Sequence, residues 1–212
     1  MKITWHGQSC FKIITKETTI VTDPFGKEIG LKPLHCEAGI VTVSHDHPDH
    51  NNVSSLRGNP FVLDGPGEYE LKKTAIRGIN SFHDTKEGKE RGVNTIFIIE
   101  AEGLIICHLG DLGQKELSSD QLDKIGDIDI LMIPVGGIYT IDGERAVAII
   151  NQIEPRIVIP MHYKIPKLNI QLKTIDPFLK EIAIKAETVE QLVIKKGDLP
   201  KEDTKLVVMK AA

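Results

Sequence analysis

The octapeptide Ser44-His45-Asp46-His47-Pro48-Asp49-His50-Asn51 holds four side chains able to bind a metal ion: His45, His47, Asp49 and His50. Side chains alternate along extended backbone, so His45 and His47 point the same way and both imidazoles can reach one ion. Pro48 lacks an N–H and suits the first position of a short helix running through Leu56, a reversal that would aim Asp49 and His50 at a second ion. The spacing therefore suits two metals better than one. Imidazole and carboxylate donors suit zinc foremost, with manganese or iron as alternatives, and the absence of cysteine argues against a closed structural zinc site. Two ions about 3.5 to 4 Å apart would polarise a substrate oxygen and lower the pKa of a shared water toward ~7. One such histidine alone is ordinarily a solvated loop residue or a core hydrogen-bonder; three with an aspartate in this octet read as ligands.

A two-ion site needs more donors. The candidates are His83 in Ser81-Phe82-His83-Asp84, Asp111 in His108-Leu109-Gly110-Asp111, and His162 in Ile159-Pro160-Met161-His162-Tyr163. His45, Asp111 and His162 follow the strand-like runs 40–44, 104–107 and 156–159, so a sheet can deliver them to one edge, as sheets commonly assemble sites. His108 reads as a donor behind a ligand, a substrate contact or an alternative ligand. Asp23, before Pro24, reads as a turn former or the partner of a ligand histidine. Tyr163 and Lys164, beside His162, are candidates to meet an anionic group on a substrate.

The elements that must position these residues fall into two regimes. Up to residue 107, short β-branched runs at 3–5, 10–15 and 18–22 suggest adjacent antiparallel strands, 39–44 a further strand, and 94–100 with 104–107 a hairpin across the three-residue loop 101–103. Gly65-Pro66-Gly67 reads as a turn. Beyond 107, helical spacing covers 117–125 and 143–153, the second placing Ala146, Ile149, Ile150 and Ile153 on one face. Asp176-Pro177 caps a third helix over 178–186. Between the helices, 129–133 and 156–159 are continuous apolar runs, as in strands covered on both faces. With no internal repeat or linker, residues 1–212 read as one αβ domain.

Composition narrows the partners. Lysine plus arginine number 26 against 30 aspartate plus glutamate, a net charge of -4, which argues against a general nucleic-acid binder. The longest nearly apolar run, 128–135, contains Asp129 and falls far short of the ~20 residues a membrane span needs, and the N-terminus does not read as a signal peptide. Cys10, Cys36 and Cys107 form no C-x-x-C pair and cannot all pair internally, so buried reduced thiols and a cytoplasmic setting are expected.

Taken in order, His45, His47, Asp49, His50, His83, Asp111 and His162 resemble the motif series of the metallo-β-lactamase fold hydrolases: an H-x-H-x-D-H signature, an isolated histidine, a Gly-Asp carboxylate and a final histidine. The resemblance covers nearly the whole chain and implies an αββα sandwich, two mixed β-sheets flanked by helices, with the metals in a groove at one edge. It further implies that His45, His47 and His83 hold one ion and Asp49, His50 and His162 the other. Asp111 would bridge them, a bridging hydroxide would attack, and Asp49 would shuttle a proton. Thr22-Asp23-Pro24, Gly65-Pro66-Gly67-Glu68-Tyr69-Glu70 and His108-Leu109-Gly110-Asp111-Leu112-Gly113 are similar to the short group related to ascorbate 6-phosphate lactonase. Members of that group often carry Gly-His-Ser where this chain reads Gly7-Gln8-Ser9. Aspartate at 111, where the best-known lactamases use cysteine, argues against antibiotic hydrolysis as the main activity.

The expected function is thus metal-dependent hydrolysis of an ester, lactone or phosphodiester of a small molecule, with the oligomeric state open. Two rivals share the motifs. One is an iron-dependent oxidoreductase on the same fold, weakened by histidine at 47 where di-iron reductases carry glutamate and by the lack of residues for a flavin module. The other is a non-enzymatic metal-binding scaffold.

Overall fold

A computed structural model describes residues 1–212. The chain begins with three short antiparallel strands, β1 (Lys2–Trp5), β2 (Phe11–Ile14) and β3 (Thr19–Thr22), as their β-branched runs predict. β4 (Ile40–Thr42) joins β3 in parallel, and β5 (Phe61–Leu63) extends the same edge. A hairpin of β6 (Gly67–Leu71) and β7 (Thr74–Phe82) then opens the second sheet, continued antiparallel by β8 (Val93–Ala101) and β9 (Leu104–His108). After α1 (Ser119–Ile125), the strand β10 (Ile130–Pro134) pairs parallel to β9. Next come α2 (Gly143–Ile153), then β11 (Ile157–Met161), parallel to β10, and α3 (Asp176–Ile182). β12 (Ala186–Val189), β13 (Leu192–Val193) and β14 (Lys205–Met209) complete the sheets. The six-stranded sheet runs β13-β1-β2-β3-β4-β5, and the eight-stranded sheet runs β12-β14-β11-β10-β9-β8-β7-β6.

Both sheets are mixed, and period-2 alternation sorts their side chains. Ile3, Trp5, Phe11, Ile13, Ile20 and Ile40 join Ile76, Ile96, Ile106 and Ile130 of the other sheet in one buried cluster of 42 residues. Apolar residues of α2 and α3, among them Ala146, Ile149 and Phe178, belong to the same cluster and cover the outer face of the eight-stranded sheet. The opposite face of the six-stranded sheet, with Val21, Val41 and Val43, is covered by loop residues such as Phe25, Ile29, Leu168 and Leu172. No α-helix covers that face, so the expected flanking helices all lie on one side. No helix is long and apolar enough to cross a membrane.

Several local expectations are revised. The β8–β9 connection is a two-residue turn, with Ala101 paired to Leu104 and both Glu102 and Gly103 at positive φ, as a type I′ hairpin requires. The β6–β7 turn is also two residues, Lys72 (φ 50°) and Lys73 (φ 55°), and contains no glycine or asparagine to announce it. The third helix ends at Ile182, because Ala183 turns left-handed and the chain leaves to form β12 instead of continuing to 186. Past Pro48 there is no continuous helix to Leu56. A turn at 48–50 is followed by a separate 3-10 turn, Val53–Ser55, since Asn52 spends its backbone N–H on Pro24 and its side chain on Phe25.

Candidate metal centre

Four strand ends converge. His45 lies just past β4 of the six-stranded sheet, while His83, Asp111 and His162 follow β7, β9 and β11 of the eight-stranded sheet. Backbone bonds stitch the two sheets together here, Thr95 N–H to the Ser44 carbonyl at 2.8 Å and His162 N–H to the Gln8 carbonyl at 3.1 Å. Asn94 sets Asp111: its carboxamide oxygen accepts the Asp111 N–H at 2.9 Å while its amide donates to the Leu109 carbonyl. Gly110 is required between them, because at φ 56° a Cβ would stand 2.4 Å from Asn94 Oδ1 and 2.6 Å from Ser44 Cβ.

The donor atoms fall into overlapping groups, each with all ligand atoms within 4.8 Å of one another: His45, His47 and His83; Asp49, His50 and His162; and His45, His50 and Asp111. Asp111 Oδ2 lies 3.1 Å from His162 Nε2, 3.3 Å from His50 Nε2 and 3.5 Å from His83 Nε2, so one carboxylate oxygen neighbours members of both triads. His45 Nε2 and His50 Nε2 are buried and have no hydrogen-bond partner in the protein. A buried polar atom left so costs about 1 to 3 kcal/mol, and a cation is the partner that imidazole lone pairs and carboxylates together accept.

The opposite ring nitrogens explain why these lone pairs face inward. Asp23 Oδ2 accepts from His50 Nδ1 at 3.0 Å and from the Ser44 hydroxyl at 2.7 Å. Having given its proton to Asp23, Ser44 Oγ can only accept from His45 Nδ1, 2.9 Å away. Both rings are thereby held with Nε2 toward the cluster. Burial, with His50 next, pushes the His45 imidazole down to about 3, which keeps it neutral. Burial alone would raise the Asp111 carboxyl, but His162 and His50 hold it well below the carboxylate range. Burial would raise the Asp49 carboxyl too, but the neighbouring His50 and His162 together hold it low. Gln8, Asp23 and His162 sit at φ 49°, 40° and 52°, left-handed conformations costing about 1 to 3 kcal/mol each for non-glycine residues, and such strain concentrates at functional sites.

All seven sequence-selected ligand candidates meet here. Of the others, Asp23 stands behind His50 and Ser44. His108 is buried with both ring nitrogens on backbone, Nε2 donating to the Ser9 carbonyl at 2.8 Å and Nδ1 accepting the Gly110 N–H at 3.3 Å, so it is neither ligand nor substrate contact. It acts at one remove, since Ser9 Oγ donates to Asp111 Oδ1 at 3.1 Å. Tyr163 is corrected to a core residue, its ring 5.0 Å from that of Trp5. Lys164 is corrected as well, because its ammonium is spent on the carbonyls of Leu168 and Ile170. Gln8 was not singled out for the site. Its buried amide lies 3.1 Å from Asp49 Oδ2 and 3.2 Å from His162 Nε2, and the only signal was its place in the Gly-His-Ser position. Arg91 and Tyr139 also line the cavity over the cluster.

A two-sheet sandwich with this histidine and aspartate edge defines a class. Residues 2–162 match the Beta-lactamase superfamily domain. Within that superfamily the chain belongs to the UPF0173 metal-dependent hydrolase family. It is 32% identical to such a protein from Methanosphaera stadtmanae and 30% identical to one from Thermoplasma acidophilum, each match covering 77% of this chain and 84% or 83% of the relative. A crystal structure from Thermotoga maritima, assigned to the Zn-dependent hydrolases of the metallo-beta-lactamase superfamily, superposes with a TM-score of 0.81 at 38% identity over 98% of both chains.

Proposed function

We propose that this hydrolase works with two divalent ions, zinc first and manganese or iron as alternatives, on an ester, lactone or phosphodiester bond of a small molecule. The observation that carries the two-ion reading is the position of Asp111 Oδ2 between the two triads, within 3.5 Å of donors from each. His45, His47 and His83 would hold one ion and Asp49, His50 and His162 the other, with Asp111 shared. When bound, such ions would supply Lewis acidity and lower the pKa of a water toward neutrality. The chain's own residues do the rest. Asp23 and Ser44 orient His50 and His45, Ser9 and Asn94 orient Asp111, and Asp49, which lines the cavity, would take up a proton and pass it to the leaving group. The motif likeness to the ascorbate 6-phosphate lactonase group supports lactones among the substrates. Three free, buried cysteines support a cytoplasmic setting.

The test is metal analysis of protein purified without added metal, followed by a screen of lactones, esters and phosphodiesters with the metal found. Two equivalents per chain and chelator-sensitive turnover are expected. A single equivalent would overturn the two-ion reading, and full occupancy with no turnover across the screen would overturn hydrolysis of these bonds.

A further inference from the structure

The cavity over the cluster, about 350 Å³, is lined by His47, Asp49, His83, Asp111 and His162 and also by Arg91, Tyr139 and Ile170. Arg91 and Tyr139 line a second cavity of about 200 Å³ as well, there joined by Arg145 and Lys173. The two cavities therefore share a wall made of an arginine over an aromatic ring, the Arg91 guanidinium carbon 5.8 Å from the Tyr139 centroid. The backbone at Arg91 is held on both sides. Its backbone N–H donates to Asp84 at 2.8 Å, and the next residue, Gly92, closes the loop by accepting the His83 N–H at 3.1 Å.

The second cavity carries three cations, Arg91, Arg145 and Lys173, against two carboxylates, Asp84 and Asp142. Its two carboxylates already accept backbone N–H bonds, Asp84 from Lys86, Gly88, Glu90 and Arg91, and Asp142 from Arg145 at the start of α2. The acids of the adjoining loop are paired with its lysines, Glu90 with Lys86 and Glu87 with Lys89. Arg91, Arg145 and Lys173 are left with no carboxylate partner, in a chain whose net charge is -4. Beside them Tyr139 and Ile138 stay 39% and 50% exposed, apolar surface at the mouth of a polar site.

We propose that the two cavities form one substrate channel. The reacting bond lies over the metal cluster, an apolar or planar portion lies against Tyr139 and Ile170, and a second, unreacting oxyanion is bound by Arg91, Arg145 and Lys173. The substrate is thus an organic anion, a phosphate- or carboxylate-bearing molecule whose charged group is separate from the bond cleaved. The assignment of the reacting bond rests on the hydrolase reading above; the anion subsite does not.

Two measurements keep these apart. The first is binding of phenylphosphonate and of benzoate to the metal-free protein, followed by calorimetry. Salt-sensitive binding weakened about tenfold or more by Arg91→Ala is expected, as for loss of a charge-assisted pair. Arg145→Ala should weaken it too, which keeps the test decisive if the Arg91 variant is misfolded by circular dichroism. Lys124→Ala, which removes the same charge from an Asp120-paired lysine on α1, should change nothing. Stronger binding of phenylphosphonate would identify the subsite as phosphate-type, stronger binding of benzoate as carboxylate-type. The second measurement compares kcat/KM of the metal-loaded protein for mono-4-nitrophenyl glutarate and the neutral 4-nitrophenyl pentanoate. The charged ester should be preferred, and Arg91→Ala should collapse the preference toward unity. Turnover of both esters at similar rates, with anion binding indifferent to both arginine variants, overturns the subsite and leaves the hydrolase. Arg91-dependent anion binding with neither ester turned over leaves the subsite and counts against ester hydrolysis.

Discussion

At the scale of single residues, the proposed ligands depend on groups that never touch a metal. Asp23 holds His50 directly and His45 through the Ser44 hydroxyl, so one carboxylate orients a donor in each triad. Asp23→Asn keeps a residue type tolerant of φ 40°, but whichever way its amide turns, the NH2 must face either the Ser44 N–H now on Oδ1 or the His50 and Ser44 hydroxyl hydrogens now on Oδ2. Metal affinity should fall about 10- to 100-fold with the fold intact, read by competition with a chromophoric chelator; unchanged affinity would remove Asp23 from the centre's support. His83 and His108 make a sharper contrast. His83 faces Asp111 and belongs to a triad, whereas both nitrogens of His108 are occupied by backbone. His83→Ala should lose about one equivalent of metal and nearly all turnover, measured by elemental analysis and kinetics. His108→Ala should keep both equivalents and instead lose about 1 to 3 kcal/mol of stability by urea unfolding. Metal lost only from the His108 variant would exchange their roles.

At the scale of elements, the loop from Asp84 to Arg91 is organised by one side chain. Asp84 accepts backbone N–H bonds from Lys86, Gly88, Glu90 and Arg91 at 2.7, 3.0, 2.9 and 2.8 Å. Burial pushes its carboxyl up, but the four N–H groups outweigh it and hold the pKa down to about 2, against 3.8 for a free side chain. Because the folded value is the lower one, the stabilisation is full above 3.8 and is lost as pH falls through about 2. Asp84→Ala should therefore destabilise by an amount of the order of 3 kcal/mol near neutrality, with the gap to the parent narrowing as pH falls below the free value. Urea unfolding from about pH 7 to about pH 3 checks this; a gap that stays constant would show that the carboxylate's charge is not what organises the loop. The same variant should loosen Arg91, and with it the wall between the two cavities.

At the scale of the whole molecule, the core and the centre are separable. The 42-residue cluster and the 11-residue cluster behind the six-stranded sheet contain no proposed ligand. Chelation should leave the far-ultraviolet circular dichroism and cooperative unfolding in place while lowering Tm, and restored metal at about 100 times its Kd should return about 2.7 kcal/mol. Unfolding on chelation would mean that the ions are part of the core's stability. The convergence of the candidate donors was legible in the sequence because donor chemistry is a property of residue type, and H-x-H-x-D-H after a strand admits few other uses. The strands 130–134 and 157–161 were legible for a similar reason, since continuous burial leaves an unbroken apolar run. The hairpin at Lys72-Lys73 was not, because two lysines enter a left-handed turn only when flanking strands pair and hold them there. Nor was the fate of Tyr163 and Lys164, whose types permit a site role that packing on Trp5 and backbone carbonyls takes away. The sequence by itself determined which donors exist and which strands carry them. Only the tertiary structure decided that Gln8, Arg91 and Tyr139 join them, since those three come from separate connections that share nothing local and meet only because both sheets end at one edge.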